Sequence, residues 1–543
     1  MAISELLGSM TSSQVWSFGA LLLVVTFIID LVNDFASHPP SHIPSMGKSG
    51  KLNAFLDSFR AITKYNQWVK DGYSKFGKHG FPFQVPQPLS RHSEIVLPRS
   101  QASWMIDQPD HILSTYDAHN ATLYTRYNFL GRRLAHDPFP NRVLQKHLAR
   151  HLPAIIPNVD EETQLVVGTM FGDDTENWKS FTLWKLWMEI VPRVINRLLV
   201  GPELCRNKQF VDNMTNVSND VVRNMLILQL LPKILHPVVG RLLGIANYIH
   251  WRSADAVAQP LLQERLNAML KQANGHVEFQ DYVPPEDFVT WTIRQALAEK
   301  KTFELDPVVL SKRLLPVEFA AIHTTVLTGQ LWMQDLLSSE PESGILDILR
   351  AEIIANKPKS GPWTKAALSN LVRLDSSIRE SQRLSNFLAT VIERKVVSEN
   401  GVYNPDLDLT FPKGSYVVLN LEGTHHCEDL YENAESYDPL RYSRMREAWD
   451  AKSDEEKRNE PEEGTRMRGL GMVTTSPQHL AFGHGRHACP ARFFVSHEFK
   501  LILATIILDY DIKMTSKKPE RQWIGRSVIP SRKTEIQIRK RKA

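Results

Sequence analysis

The chain has 543 residues, 42% hydrophobic and 23% charged, with three cysteines and a formal net charge of +4. That apolar content excludes a disordered chain, and the length allows a deep buried core. So few cysteines exclude a disulfide framework and suit a reducing compartment, while a mild charge with no basic tract interleaved with aromatics argues against nucleic acid as a partner.

Residues 6–29 contain no charge, and 18–29 are almost wholly apolar. This run of 24 residues exceeds the roughly 20 that cross a bilayer as a helix. A cleaved signal peptide would carry basic residues ahead of a shorter apolar core, and residues 1–13 hold no Lys or Arg. Asp30 and Asp34 follow, then Pro39, Pro40 and Pro44, which stiffen a linker. The next charges, Lys48, Lys51 and Arg60, favour keeping the C-terminal side in the cytosol. The expected organisation is a single-pass membrane anchor at 1–36, a proline-containing linker at 37–52 and one large domain at 53–543. The anchor would sit in the endoplasmic reticulum membrane with the domain facing the cytoplasm. Asn120-Ala121-Thr122, Asn213-Met214-Thr215 and Asn216-Val217-Ser218 would then be unused glycosylation matches.

Helical periodicity dominates 160–270 and 306–387. Short strands are expected at 94–97, 396–402, 416–421, 512–514 and 535–538, with Lys413-Gly414 as a turn. The apolar stretch Met225-Leu226-Ile227-Leu228-Gln229-Leu230-Leu231-Pro232, continuing to Val239, reads either as core between two helices or as a substrate-access lid that dips into the membrane. A membrane-facing mouth would suit a lipophilic substrate.

Phe319, Ile322, Val326, Gly329 and Met333 recur at helical spacing. Small Ala320 and Ala321 would let a flat group lie against that helix. The Thr324 hydroxyl one turn on could relay protons, or bond back to its own helix. The neighbouring His323 imidazole can also relay protons. The segment 367–387 reads as a helix with Leu368, Leu371, Leu374 and Ile378 on one face. On it Glu380 and Arg383 are neighbours in the favourable order. The same spacing at Glu203/Arg206, Glu455/Arg458 and Glu463/Arg466 reads as solvated pairs, each worth well under about 1 kcal/mol. The charged segment 450–468, with Pro461 and Gly464, is expected as an exposed loop.

Near the C-terminus stands Phe482-Gly483-His484-Gly485-Arg486-His487-Ala488-Cys489-Pro490-Ala491-Arg492. Pro490 suits the first helical position, and apolar residues follow at helical spacing. A cysteine at a helix N-terminus, beside Arg486 and His487, is favoured as thiolate. Gly483 and Gly485 would let the backbone pass close to a flat cofactor. An inert buried thiol is the bland alternative. A zinc site of His484, His487 and Cys489 has an unusual spacing and no paired cysteines. A nucleophile would need a base that nothing selects. A haem thiolate ligand fits best.

Phe482-x-x-Gly485-x-x-x-Cys489 resembles the haem-ligand signature of the cytochrome P-450 monooxygenases. The run from His484 to Pro490, with Arg492-Phe493-Phe494, is similar to the version in fungal secondary-metabolism members. His487 stands where the family has an arginine for a haem propionate, with Arg486 adjacent, and Ala491 stands where it has glycine. Ala320, Ala321 and Thr324 match the family's central helix, in which His323 replaces an acid. Glu380 and Arg383 match a family pair, and Tyr437-Asp438-Pro439-Leu440-Arg441-Tyr442 is similar to the segment whose arginine joins them in a structural triad. Arg394, shifted by one position, and Arg142, in the basic stretch 142–147, are candidates for the haem propionates.

The resemblance implies a mainly α fold with small β-sheets, haem b (iron protoporphyrin IX) ligated by Cys489, and proton delivery by Thr324 with His323. It implies dioxygen as oxidant and electrons from NADPH through a separate NADPH-cytochrome reductase, with cytochrome b5 as a further donor. No Gly-x-Gly-x-x-Gly fingerprint marks a fused nicotinamide domain. The implied reaction is hydroxylation, epoxidation or multi-step oxidation of a lipophilic terpenoid, polyketide or alkaloid intermediate. The alternatives are a haem-thiolate isomerase or dehydratase that does not use dioxygen, and a non-enzymatic haem- or ligand-binding membrane protein.

Overall fold

The computed structural model describes residues 12–34, 42–48, 51–88, 93–131, 133–134, 137–231 and 233–542. Its principal helices are α1 (Ser12–Asp34), α2 (Lys51–Lys75), α3 (Ala102–Asp107), α4 (Thr115–Thr122), α5 (Phe139–Phe171), α6 (Leu183–Leu199), α7 (Lys208–Leu230), α8 (His236–Ala273), α9 (Pro307–Ser343), α10 (Val372–Leu384) and α11 (Arg492–Asp509). The main hydrophobic core lies among α5, α6, α9 and α11, around Trp187, Trp291, Trp332 and Phe499.

The 37-residue α9 organises this core. Asp306 caps its start, accepting from the Val308 and Val309 N–H groups at 2.7 and 3.2 Å, and Pro307 takes the first position, where a missing N–H costs nothing. Gly344, at φ 58°, ends it. Midway, a Cβ on Gly329 would stand 2.7 Å from the Trp187 ring of α6, so glycine permits this close helix crossing. The last helix, α11, buries residues on all sides, including Ser496, Glu498 and Lys500. That is the signature of a core helix.

Small sheets flank the helices. β1 (Phe83–Pro86), β2 (Ser93–Leu97), β8 (Tyr416–Asn420), β5 (Thr390–Val396) and β3 (Leu113–Ser114) form one sheet in that order. β2 and β8 are parallel, and the other neighbours are antiparallel. β5 carries a bulge between Val391 and Arg394, where Ile392 adopts φ 58°, rare for a β-branched residue. β4 (Lys179–Thr182), β12 (Glu535–Lys540) and β9 (Tyr510–Met514) form a second sheet. β6 (Val402–Asn404) with β7 (Leu409–Phe411) and β10 (Gln522–Ile524) with β11 (Ser527–Ile529) are hairpins.

The mainly helical fold with small sheets agrees with expectation, and five of the expected elements move. The strand expected at 396–402 is the end of β5 and the start of β6, which belong to different sheets. The helix expected at 367–387 breaks at Asn370 and Leu371, between Lys365–Ser369 and α10. The segment 450–468 is not a loop: helices Asp454–Asn459 and Pro461–Arg468 occupy it, the first opened by a Ser453–Glu456 capping box. The stretch 225–239 is not simply core. Leu226, Ile234 and Val238 are exposed while Leu228 is buried; Pro232 lies outside the described residues. The expected span at 6–29 begins outside them, and its described part is α1, with Leu21 to Val25, Ile28 and Ile29 exposed. No helix among the described residues is long and apolar enough to cross a membrane, so the expected transmembrane helix is left without structural support.

Candidate functional site

Helices α4, α7, α9, α10 and α11, with the β10–β11 hairpin, bound a cavity of about 1870 Å³. Cys489 and Phe482 line it from the C-terminal loop. Ala320, Ala321, His323 and Thr324 line it from α9, so the motifs read separately along the chain meet around one space.

The Cys489 loop is held by its own backbone. The Cys489 N–H donates to the Phe482 carbonyl at 2.9 Å. Gly483 and Gly485 adopt φ of 68° and 73°. A Cβ on Gly485 would lie 2.0 Å from Ile106 Cγ2 of α3, so only glycine fits. Burial pushes the Cys489 thiol up, opposed by the Ala491 and Arg492 backbone N–H groups and the Arg492 guanidinium. The charges expected to favour thiolate are therefore misassigned. Arg486 reaches away to the Gln108 carbonyl, and His487 lies 3.2 Å from Asp110. Nor does Pro490 open the helix, which begins at Arg492. His484 accepts or donates at Thr475 Oγ, 2.9 Å away, and among the described residues no cluster of His, Cys, Asp or Glu could hold a metal ion.

Glu380, Arg383 and Arg441 form the expected triad. Arg383 Nε and Nη2 donate to Glu380 at 2.9 and 2.8 Å, and Arg441 Nε donates at 2.9 Å. The third Arg383 nitrogen, Nη1, donates to the His425 and Ala434 carbonyls at 2.6 and 2.7 Å, and Nη2 also reaches the Ser436 carbonyl at 3.2 Å. Every side of the buried charge is hydrogen-bonded, which is what makes burial tolerable. Of the other pairs, Arg466 does bond Glu463 at the surface, while Arg206 turns to Glu161 and Glu162.

On α9, Thr324 donates to the Ala320 carbonyl at 2.7 Å. Its proton is given to its own helix, and its lone pairs face the cavity. His323 Nε2 lies 3.0 Å from Asn219 Oδ1 of α7. An amide oxygen only accepts, so Nε2 carries the hydrogen. Nδ1 is sealed and, among the described residues, has no partner. Burial pushes the His323 pKa down, which keeps the imidazole neutral.

The two propionate candidates part company. Arg142 pairs with Asp137 at 3.3 Å; Asp137 lines the cavity, and neither Arg142 nor Arg394 is among its lining residues. Arg394 is fully buried. Its Nη1 meets the Leu113 carbonyl at 3.4 Å, and Nε and Nη2 find no partner among the described residues. Burial pushes its pKa down to about 10, with Asp110 opposing and Arg486 adding to the fall. The β5 bulge adds a residue just before it, a physical reason for its shifted position.

A family model described as cytochrome P-450 matches residues 131–538. The chain belongs to the cytochrome P-450 family. It is 30% identical over 526 residues to cytochrome P-450 monooxygenase 103 of Postia placenta, covering 96% of this chain and 98% of that protein. It is 30% identical over 521 residues to cytochrome P-450 monooxygenase okaG of Penicillium ochrochloron, covering 94% and 96%. To cytochrome P-450 monooxygenase gloP of Glarea lozoyensis it is 29% identical over 493 residues, covering 89% and 88%. With this coverage of fungal monooxygenases, it is an enzyme of that class.

The P-450 family implies haem iron, and the residues present fit it. Cys489 offers sulfur to the cavity, small residues of α9 line the same space, and Arg394, whose Nη1 lies 3.6 Å from Asp110, keeps Nε and Nη2 without a hydrogen-bond partner among the described residues, donors of the kind a porphyrin carboxylate satisfies.

Two groups escaped the sequence reading. Asn219 stands 104 positions from His323, and no local pattern joins them. Glu498 of α11 lines the cavity, and both carboxylate oxygens are buried with no partner among the described residues. Burial pushes its pKa up to about 8. With Ser496, His497 and Lys500 beside it, nothing in the local pattern marked it as a buried acid.

Proposed function

We propose that this P-450 inserts one atom of dioxygen into a C–H or C=C bond of a lipophilic secondary metabolite, a terpenoid, polyketide or alkaloid intermediate. Electrons would come from NADPH through a separate reductase. The observation that carries the reading is the convergence of Cys489 and Thr324 on one cavity. When bound, the haem supplies the redox chemistry that splits dioxygen. Cys489 would hold it, Arg394 and His487 would meet its carboxylates, and the glycine loop would admit it close to the backbone. Phe129, Leu198, Leu226, Val317, Phe319 and Ile529 give the substrate an apolar wall and exclude water. Thr324 presents its oxygen lone pairs where protons are needed.

The deciding measurement is the carbon monoxide difference spectrum of the reduced protein, wild type against Cys489→Ser. The thiolate-type Soret band should vanish in the variant, and its persistence would remove Cys489 as ligand. Product analysis of cells with and without the gene then identifies the metabolite.

The same reading places the protein at the endoplasmic reticulum membrane, anchored by residues 1–36, with the catalytic domain in the cytoplasm. The exposed apolar side chains of α1 support it, as does an exposed apolar stripe, Ile234, Val238, Leu242, Ile245 and Ile249, at the start of α8 and the turn before it. That turn lies beside α1. Protein lacking residues 1–36 should retain weak binding to lipid vesicles; no binding would remove the stripe as a membrane-facing lid.

A further inference from the structure

A ligand reaches this cavity only where two of its walls part. One wall is the segment 123–129, which contributes Tyr124 and Phe129. The next is the pair α7 and α8, which contributes Val222 and Leu226 of α7. A third is the β10–β11 hairpin, which contributes Ile524 and Ile529.

The seam between 123–129 and the helix pair is held by three asparagines. Asn224 of α7 donates through Nδ2 to Asn128 Oδ1 at 3.0 Å and to Asn247 Oδ1 of α8 at 2.8 Å. Asn247 Nδ2 donates to the Asn128 carbonyl at 3.1 Å, and Asn128 Nδ2 to the Leu123 carbonyl at 2.7 Å. Asn224 Oδ1 accepts from Arg223 Nη2 at 3.1 Å. The three side chains are fully buried, and each of their polar atoms has a partner. In so dry a place each bond is electrostatically stronger than in water. The backbone contact is equally close. A Cβ on Gly240 would stand 2.7 Å from the Tyr127 ring, and one on Gly244 2.9 Å from the Tyr127 carbonyl oxygen. Glycine on α8 is what lets the segment seat this deeply.

The seam toward the hairpin is of another kind. Arg526 ties the hairpin to Glu94 of β2 and Glu393 of β5 at 3.2 and 3.1 Å. The Gly525 N–H donates to the Ile62 carbonyl of α2 at 2.8 Å. These bonds run away from the helix pair. Leu226, Ile524 and Ile529 line the cavity and are 44, 45 and 39% exposed. Apolar surface already open to solvent loses little when such walls separate.

We propose that segment 123–129, α7 and α8 move as one clasped unit pinned by Asn224, and that ligands enter between this unit and the β10–β11 hairpin. The seam at Asn128 stays shut. Asn224 is a positioning residue: it does not line the cavity and acts through the wall it fixes. The inference goes beyond the reaction and holds for any ligand the cavity takes.

The test uses the full-length holoenzyme, with clotrimazole as the probe in stopped-flow mixing, because its azole nitrogen ligates haem iron and shifts the Soret band. Asn224→Ala should raise the association and dissociation rates together by about tenfold, the factor that roughly one lost hydrogen bond gives. Haem content and Kd should not change. A variant that was merely less stable would lose haem or affinity instead. Ile529→Trp should slow both rates in the wild-type background. It should slow them less in the Asn224→Ala background, where the unpinned seam offers a second way in. Hydrogen exchange needs no haem: Asn224→Ala should speed it in 123–129 and 240–250 together. Unchanged ligand rates in Asn224→Ala overturn the proposal. So does an Ile529→Trp variant with wild-type rates, or faster exchange confined to α7. Should Asn224→Ala fail to fold, Asn128→Ala removes an acceptor of the same pin and carries the same readouts. Absence of the thiolate-type carbon monoxide band would instead strike at the monooxygenase reading, and the exchange result would still report on the clasp.

Discussion

Glu380 and Glu498 are both fully buried helix carboxylates, and they stand in opposite surroundings. Glu380 receives hydrogen bonds from two arginines. Glu498 receives none from the described residues. The first region has the polar atoms of its ion pair answered. The second leaves an acid and two amide oxygens of the cavity lining without partners among the described residues. A buried ion pair that is complete reads as architecture; incomplete ones mark where a cofactor, water or a proton belongs.

The largest blow to this contrast would come from the triad. Arg383→Ala leaves Glu380 buried with Arg441 alone and should destabilise the fold by about 3–5 kcal/mol. Denaturant unfolding of the variant would show this, and an unchanged midpoint would break the contrast. Next in size is Arg394→Gln. If its free nitrogens await an anion, the variant should hold haem more weakly by about 1.5–3 kcal/mol, roughly tenfold or more in affinity. Haem transfer to a scavenging protein measures it, and an unaltered rate would leave Arg394 without that role.

The pH dependence of stability sharpens the contrast further. Glu498 and Glu318 have folded values of about 8 against an ordinary 4.5. Below pH 4.5 both the folded and unfolded chains hold these protons; between 4.5 and about 8 the folded chain alone does. Stability should therefore fall as pH rises through that window, by about 1.4 kcal/mol per pH unit for each group. Urea midpoints across the window should flatten in Glu498→Gln and flatten more in the double variant with Glu318→Gln. The smallest effect belongs to Arg441→Ala. Glu380 keeps both Arg383 bonds, and Arg441 reaches the surface, so the loss should be about 1 kcal/mol. A loss as large as that of Arg383→Ala would show the two arginines to be equivalent.

The motifs around Cys489, Thr324 and the triad were legible because each rests on local spacing; the fold then places Cys489 and Thr324 at one cavity and Arg441 beside Glu380. The helices at 454–468 were misread because charge suggested a loop, although Ser453 and Glu456 spelled out a capping box. Arg394 was half legible: the bulge at Ile392 moved it by one position, and register within a strand is set by pairing with β8 rather than by composition. His323 was read by position alone. Its partner Asn219 lies on another helix, so that contact left no pattern in the sequence. Glu498 was hidden because a lone glutamate on a helix ordinarily faces solvent.

Arg383 grips the chain at His425, Ala434 and Ser436 through carbonyl oxygens. Any amino acid supplies that oxygen. Mutation can therefore rewrite the side chains of this stretch without loosening the clasp, and the arginine's fixed charge makes the fastening indifferent to acidity. What anchors the approach to the cysteine loop is thus written in one residue and leaves no trace in the residues it holds.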